Sequence, residues 1–207
     1  MLINRERRFA FVHIQKTGGT AVREALRTVP GTVDLGRTHK HRWLQDAGVP
    51  EGYFVFSFVR NPWDRLVSWW NHHQTATPET AWHAWMTREG IEGFGDWLRR
   101  DPYVRLVNGG ARGVRVPQLA YLCDARTGRR ADFVGRYETL EDDFRRVCDR
   151  IGVEAPTLGH VRPKGTLPHG AYAAYYDAGL RDLVAAWYDC DIEAFGYRFE
   201  GGLRAAG

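Results

Sequence analysis

Lysine is nearly absent from this chain. Of 29 lysine and arginine side chains, only three are lysine: Lys16, Lys40 and Lys164. Where arginine serves almost everywhere, lysine is expected where a compact point charge is needed. Cysteine is as scarce. Cys123, Cys148 and Cys190 are far apart and odd in number, which excludes a disulfide framework, argues against a zinc site and fits a reducing cytoplasm. No apolar run approaches the roughly 20 residues of a membrane helix. The charged stretch Asn4 to Arg8 is followed by only a short apolar run, Phe9 to Ile14, too short for a signal-peptide core. The Walker A pattern GxxxxGK[ST] is missing, as are internal repeats and low-complexity tracts.

The composition that remains is globular, with 43% hydrophobic and 26% charged residues, and disorder, collagen and coiled coil are excluded on those figures. A length of 207 residues predicts one domain spanning residues 1–207. The net charge of +4 favours anionic ligands weakly. Arginine is spread along the chain rather than gathered on one segment, so no nucleic-acid partner and no membrane partner is expected.

Phe9 to Ile14 reads as a buried strand that runs into a glycine pair. Ala21, Val22, Ala25, Leu26 and Val29 follow at helical spacing. Thr32 to Leu35 reads as a short strand, and Tyr53 to Val59 as a central parallel strand. Asn61, Pro62 and Asp64 then spell a helix start. Asp132 to Arg136 reads as another strand, and Thr139 with Asp142 as a capping box opening a helix to about Ile151. A last helix is expected from about Tyr172 or Gly179 to Phe195. Strand–loop–helix units in this order predict an α/β fold with a parallel sheet. Residues 71–115 read as irregular. Trp69, Trp70, Trp82, Trp85 and Trp97 make this stretch a candidate acceptor-binding or lid region, although aromatics at helical spacing more often form core.

Two segments carry chemistry. In Gln15-Lys16-Thr17-Gly18-Gly19-Thr20 a strand feeds a glycine pair that opens a helix. Free N–H groups and the positive helix end suit a phosphate-like anion there, with Lys16 adding a charge and Thr17 and Thr20 adding hydroxyls. In Arg60 to Ser68 an arginine stands at the carboxyl end of a central strand, the edge where open α/β sheets bind ligands, and can grip a phosphate bidentately. Ser68, two turns on, can meet the same anion. Arg65 and Asp64 read as surface or capping residues, and His72 and His73 as surface residues.

Together, HIQKTGGT and FVRNPWDRLVS resemble the two nucleotide-binding signatures of the sulfotransferases, in the carbohydrate-type, family 2-like branch, whose usual forms are close to IPKTGGTS and FVRNPYDRLVS. The resemblance continues through DFVGRYETLEDDF (Asp132 to Phe144) and DIEAFGYRF (Asp191 to Phe199). It implies a P-loop NTPase-like three-layer fold with a central, mainly parallel sheet flanked by helices. It also implies transfer of a sulfuryl group from 3′-phosphoadenosine 5′-phosphosulfate (PAPS) to a hydroxyl or amine, leaving 3′,5′-adenosine bisphosphate (PAP), with no metal. Carried over by position, Lys16, Thr17, Gly18, Gly19 and Thr20 would hold the 5′-phosphosulfate, and Arg60 and Ser68 the 3′-phosphate. Gln15 stands where relatives usually have proline, and Arg162 where they often have asparagine.

In-line transfer through a loose transition state asks for positioning and electrostatic stabilisation. Lys16 is the expected catalytic cation. An acceptor hydroxyl needs a base, for which histidine is suited near neutral pH; His41 ranks first and His39 second. Lys164, in a proline- and glycine-rich late loop, is expected to close over the donor. The acceptor is expected to be a small molecule or glycan, and the enzyme a soluble, bacterial one of the cytoplasm. A nucleotide-dependent kinase and a non-catalytic nucleotide- or polyanion-binding module are the competing readings.

Overall fold

A computed structural model describes residues 1–36, 44, 48–74, 81–100, 103–105, 111–159 and 171–199. The chain divides into two compact units. The first comprises Met1–Arg60 with Gln118–Arg162, and the second Asn61–Pro117 with Pro163–Gly207.

The first unit is built on a five-stranded sheet of order β3-β1-β2-β4-β7. Its strands are β1 (Leu2–Asn4), β2 (Phe9–Val12), β3 (Thr32–Asp34), β4 (Phe54–Val59) and β7 (Phe133–Arg136). β2 and β7 both run parallel to β4. β1 is antiparallel to β2 and to β3, so β1 alone opposes the common direction. The expected strands are all present, and β4 is an interior strand between parallel β2 and β7, as its unbroken apolar run implied. β1 escaped the sequence reading because it is three residues long and is followed by a charged turn. What makes it a strand is Asn4, fully buried, whose Nδ2 donates to the Pro30 carbonyl at 2.8 Å and to Thr32 Oγ1 at 3.0 Å. Its Oδ1 accepts from the Arg7 amide.

Helices α1 (Gly19–Arg27) and α6 (Leu140–Ile151) pack on the sheet. Val22, Ala25 and Leu26 of α1 and Phe144, Val147, Cys148 and Ile151 of α6 share one core with Phe9, Phe11, Phe56 and Phe58. The short α5 (Gln118–Leu122) also belongs to this unit. The expected capping box at α6 does not form. Thr139 Oγ1 donates instead to Asp143 Oδ2 at 2.7 Å, and the Arg136 amide to the same oxygen at 2.8 Å. The reason is geometric: a 3₁₀ turn over Tyr137–Thr139 precedes the helix and turns buried Asp143, not Asp142, toward the strand end. Asp142 pairs outward with Arg145.

The second unit holds α2 (Pro62–Gln74), α3 (Ala81–Arg88), α4 (Phe94–Arg99), the hairpin β5 (Tyr103–Arg105) and β6 (Ala111–Gly113), α7 (Ala178–Trp187) and α8 (Asp189–Phe195). The start of α2 is as expected: Asn61 Oδ1 accepts from the Trp63 amide at 3.1 Å. In the stretch 71–115, expected to be irregular, the described residues include α3, α4 and the β5–β6 pair. Trp97 and Leu98 of that stretch are buried in one core with Trp63, Trp69 and Trp70 of α2 and with Tyr172 and Val184. Two further expectations are corrected there. Arg65 is not a surface residue but 1% exposed, donating to the Val116 carbonyl and facing the Tyr188 ring. His73 is equally buried, among the rings of Trp69 and Trp97. In both, helical periodicity turned inward a face whose polar residues had suggested solvent. The single last helix is in fact two, α7 and α8. Asp177 opens the first, accepting the Leu180 amide at 2.7 Å.

Candidate active site

β2, β4 and β7 lie side by side and point the same way, so the segments that follow them leave one edge of the sheet. After β2 comes the loop into α1. Lys16 has φ 67° and Gly18 φ 78°, two left-handed residues flanking Thr17. Such an arrangement turns successive N–H groups to one side and makes an anion-binding concavity. A lysine in this region is uncommon and is held there by its surroundings. Thr17 provides part of that hold. It is buried, and its hydroxyl donates to the Ile14 carbonyl at 3.0 Å. The hydroxyl therefore braces the loop, whereas Thr20, in the first turn of α1, is exposed. α1 begins with no side-chain cap and no acidic residue in its first turn. Its leading amides have no intrahelical acceptor.

Arg60, the residue after β4, is 6% exposed. Its Nη1 donates to the Lys16 carbonyl at 3.4 Å, and its Cζ stands 4.0 Å from the centre of the Tyr137 ring. The same ring covers Gly18, with Cδ2 3.1 Å from where a Cβ would be. Lys16, Gly18, Arg60 and Tyr137 thus form one contiguous group at the sheet edge. Burial, and secondarily the Arg60 charge, bring the Lys16 ammonium down from 10.5 to about 8. Two cations are held together where both would gain from an anion.

The structure places Lys16, Thr17, Gly18, Gly19 and Thr20 with Arg60 in the first unit, and half-buried Gln15 leads into the loop. Ser68 lies on α2 in the second unit. His39, His41 and Lys164 fall outside the described residues. Three residues were missed. Tyr137 directly follows a recognised strand and could have been found from its position. His13 lies within the apolar run Phe9 to Ile14; its ring stacks on Phe11 and lies against Gly19. Gln118, buried and hydrogen-bonded to the Arg60 backbone, gave no local signal, because its partner is 58 residues away. No cluster of metal-ligating side chains occurs among the described residues, and none of their helices is long and apolar enough to cross a membrane.

The lowered Lys16 value sets a pH dependence. Below about pH 8 the lysine is charged in the free protein, and an anion meets a full cation. Above that, binding must first reprotonate it. Affinity for a phosphate-type anion is therefore expected to be level from about pH 7.5, where the phosphate is already dianionic, to about pH 8 and to fall by up to about tenfold per further pH unit. Titration calorimetry over roughly pH 7.5 to 9.5 measures this, and an affinity that rises with pH in that range would contradict it.

A mainly parallel sheet whose glycine loop opens a helix, with a second cation at the end of the neighbouring strand, defines a P-loop-like α/β protein. The chain belongs to the sulfotransferase family, in its family 2-like branch: the family model described as "Sulfotransferase family" matches residues 1–198. No curated protein and no solved structure matched it. Its family membership makes it a transferase of sulfuryl groups.

Proposed function

We propose that this sulfotransferase takes PAPS as its donor and passes the sulfuryl group to a hydroxyl or amine of a small molecule or glycan in the bacterial cytoplasm. The observation that carries the reading is the meeting of Lys16 and Arg60, from two different loops, beside the uncapped start of α1. The donor has two anionic groups, and the residues fit both. Lys16 and the amides of Gly18, Gly19 and Thr20 would hold the phosphosulfate. Arg60, assisted by Ser68, would hold the 3′-phosphate, and Lys164 would close over the donor.

When bound, PAPS supplies the sulfuryl group and leaves as PAP. The chain's part is electrostatic and positional. The Lys16 ammonium would face the charge on the departing phosphate oxygen and on the sulfuryl oxygens. The loop amides are fixed in advance by Thr17 and the two left-handed residues. His41, or His39 in its place, would take the proton of the acceptor hydroxyl as its oxygen bonds to sulfur and the sulfur–phosphate oxygen bond breaks. The positive charges for the step would come from side chains, Lys16 and Arg60 first among them.

Thermal unfolding with PAP, AMP and ADP, each with and without Mg²⁺, tests this reading. A ligand at about 100 times its Kd stabilises by about 2.7 kcal/mol, a rise of roughly 5–10 °C in Tm for a chain of this size. That rise is expected with PAP, independent of Mg²⁺, and lost in Arg60→Ala. AMP is expected to give a smaller rise that Arg60→Ala leaves in place. No rise with PAP, or a larger one with ADP and Mg²⁺, rejects the reading in favour of a kinase.

A further inference from the structure

β4 ends at Val59, yet the backbone of the next residue is still paired as if it lay in a sheet. Gln118, the first residue of α5, has no exposed surface. Its Oε1 accepts the Arg60 N–H at 2.9 Å, and its Nε2 donates to the Arg60 carbonyl at 2.8 Å. Two residues that exchange both bonds in an antiparallel ladder are joined in this way. A side-chain amide thus extends the edge of the sheet by one residue. The bonds fix the Arg60 backbone and therefore the direction in which its side chain leaves. Further out, the guanidinium is steered by the Tyr137 ring and the Lys16 carbonyl. Arginine carries a large rotamer entropy, and a guanidinium already in place loses little of it on binding.

We propose that Gln118 is the positioning residue for Arg60 and so a determinant of selectivity for nucleotides with a 3′-phosphate; this rests on the assignment of Arg60 to that phosphate. Lacking the amide, Arg60 keeps its charge but not its aim, and a group displaced by about 1 Å can lose a large part of its effect. The loss falls mainly on the 3′-phosphate, since the guanidinium meets the loop after β2 only through one long bond to the Lys16 carbonyl. The 5′ side is held by the loop after β2, which Gln118 does not build.

Calorimetric Kd values for PAP and AMP in the wild type, Gln118→Met and Gln118→Glu test the proposal. Gln118→Met, of similar length, removes both bonds. It is expected to weaken PAP by about tenfold and AMP by less than about twofold. Gln118→Glu keeps the acceptor for the Arg60 amide and is expected to fall between. A structural role alone would weaken both ligands alike, and that result overturns the proposal. A wild type that does not prefer PAP to AMP rejects the assignment of Arg60 itself. A wild type that does, with the preference intact in Gln118→Met, rejects only Gln118. If neither variant folds, hydrogen exchange on the wild type decides. An Arg60 amide already protected in the free protein supports the proposal, and one protected only after PAP is added overturns it.

Discussion

Replacing Lys16 with methionine is expected to lower turnover of PAPS by about 10²–10³-fold while making the free protein harder to melt. The first effect is the usual cost of removing one preorganised group that faces developing charge. The second follows from the same placement. Burial and the neighbouring Arg60 hold the ammonium at about 8 instead of 10.5, so in the unfolded chain the lysine binds its proton more tightly. Between these values the unfolded state carries more protons, and stability rises with pH. Below about pH 8 the penalty is present in full. Its upper limit is roughly 3 kcal/mol. Lysine is partly exposed, so screening brings the expected gain to about 1 kcal/mol, or roughly 2–4 °C in Tm at pH 7. Methionine is the informative replacement. It is as strained as lysine at φ 67°, so the backbone cost cancels and the amine alone is read. Arginine should not restore turnover, since a planar fork cannot replace a compact charge in this loop. Radiolabelled sulfate release and thermal melts measure the two effects. Turnover within threefold of wild type, or a lower Tm, would remove Lys16 from the role assigned to it.

How far the sequence led depends on the range over which each signal acts. The loop after β2 was legible because strand, glycine pair and helix are contiguous, and its chemistry is written in neighbouring residues. Arg60 was legible because it terminates an unmistakable apolar strand. β1 was not, because a three-residue strand takes its identity from the hydrogen bonds of Asn4 to Pro30 and Thr32, which no window reveals. Arg65 and His73 were misplaced for a related reason. Local polarity suggested solvent, but the tertiary packing of α2 against Tyr188 and Trp97, with Trp69 of the same helix beside His73, enclosed them. The amide of Gln118 and the ring of Tyr137 reach Arg60 from distant segments, so their contribution exists only after folding. The pattern offered Lys16 and Arg60 as candidate charges, and the structure adds the side chains packed around Arg60.

The two glycines of the loop are expected to fail differently when each is given one methyl group. Gly18 has φ 78°, and a Cβ there would stand 2.7 Å from Leu140 Cδ2. Gly18→Ala combines a left-handed backbone penalty of about 1–2 kcal/mol with overpacking of about 1–3 kcal/mol. A Tm lower by roughly 5–15 °C follows. Trimming Leu140 to alanine cannot restore it, because the backbone term remains. Gly19 lies within α1 and has no such conformation. Its limit is the His13 ring, which stands closer to the Cβ position than real neighbours approach and is backed by Phe11 at 5.8 Å between ring centres. Gly19→Ala must push the first turn of α1 off that ring and carry the amides of Gly18 and Thr20 with it, so PAP affinity is expected to drop by about 10²-fold. The double variant Gly19→Ala with His13→Ala removes the obstacle. It is expected to regain most of that affinity and to melt within about 1 kcal/mol of His13→Ala alone, a strongly non-additive pair of the kind contacting residues show. Thermal melts and PAP titrations of the four variants decide the matter. If the effects of Gly19→Ala and His13→Ala simply add, the loop is not seated on His13, and glycine is required at this position by the anion rather than by the fold beneath it.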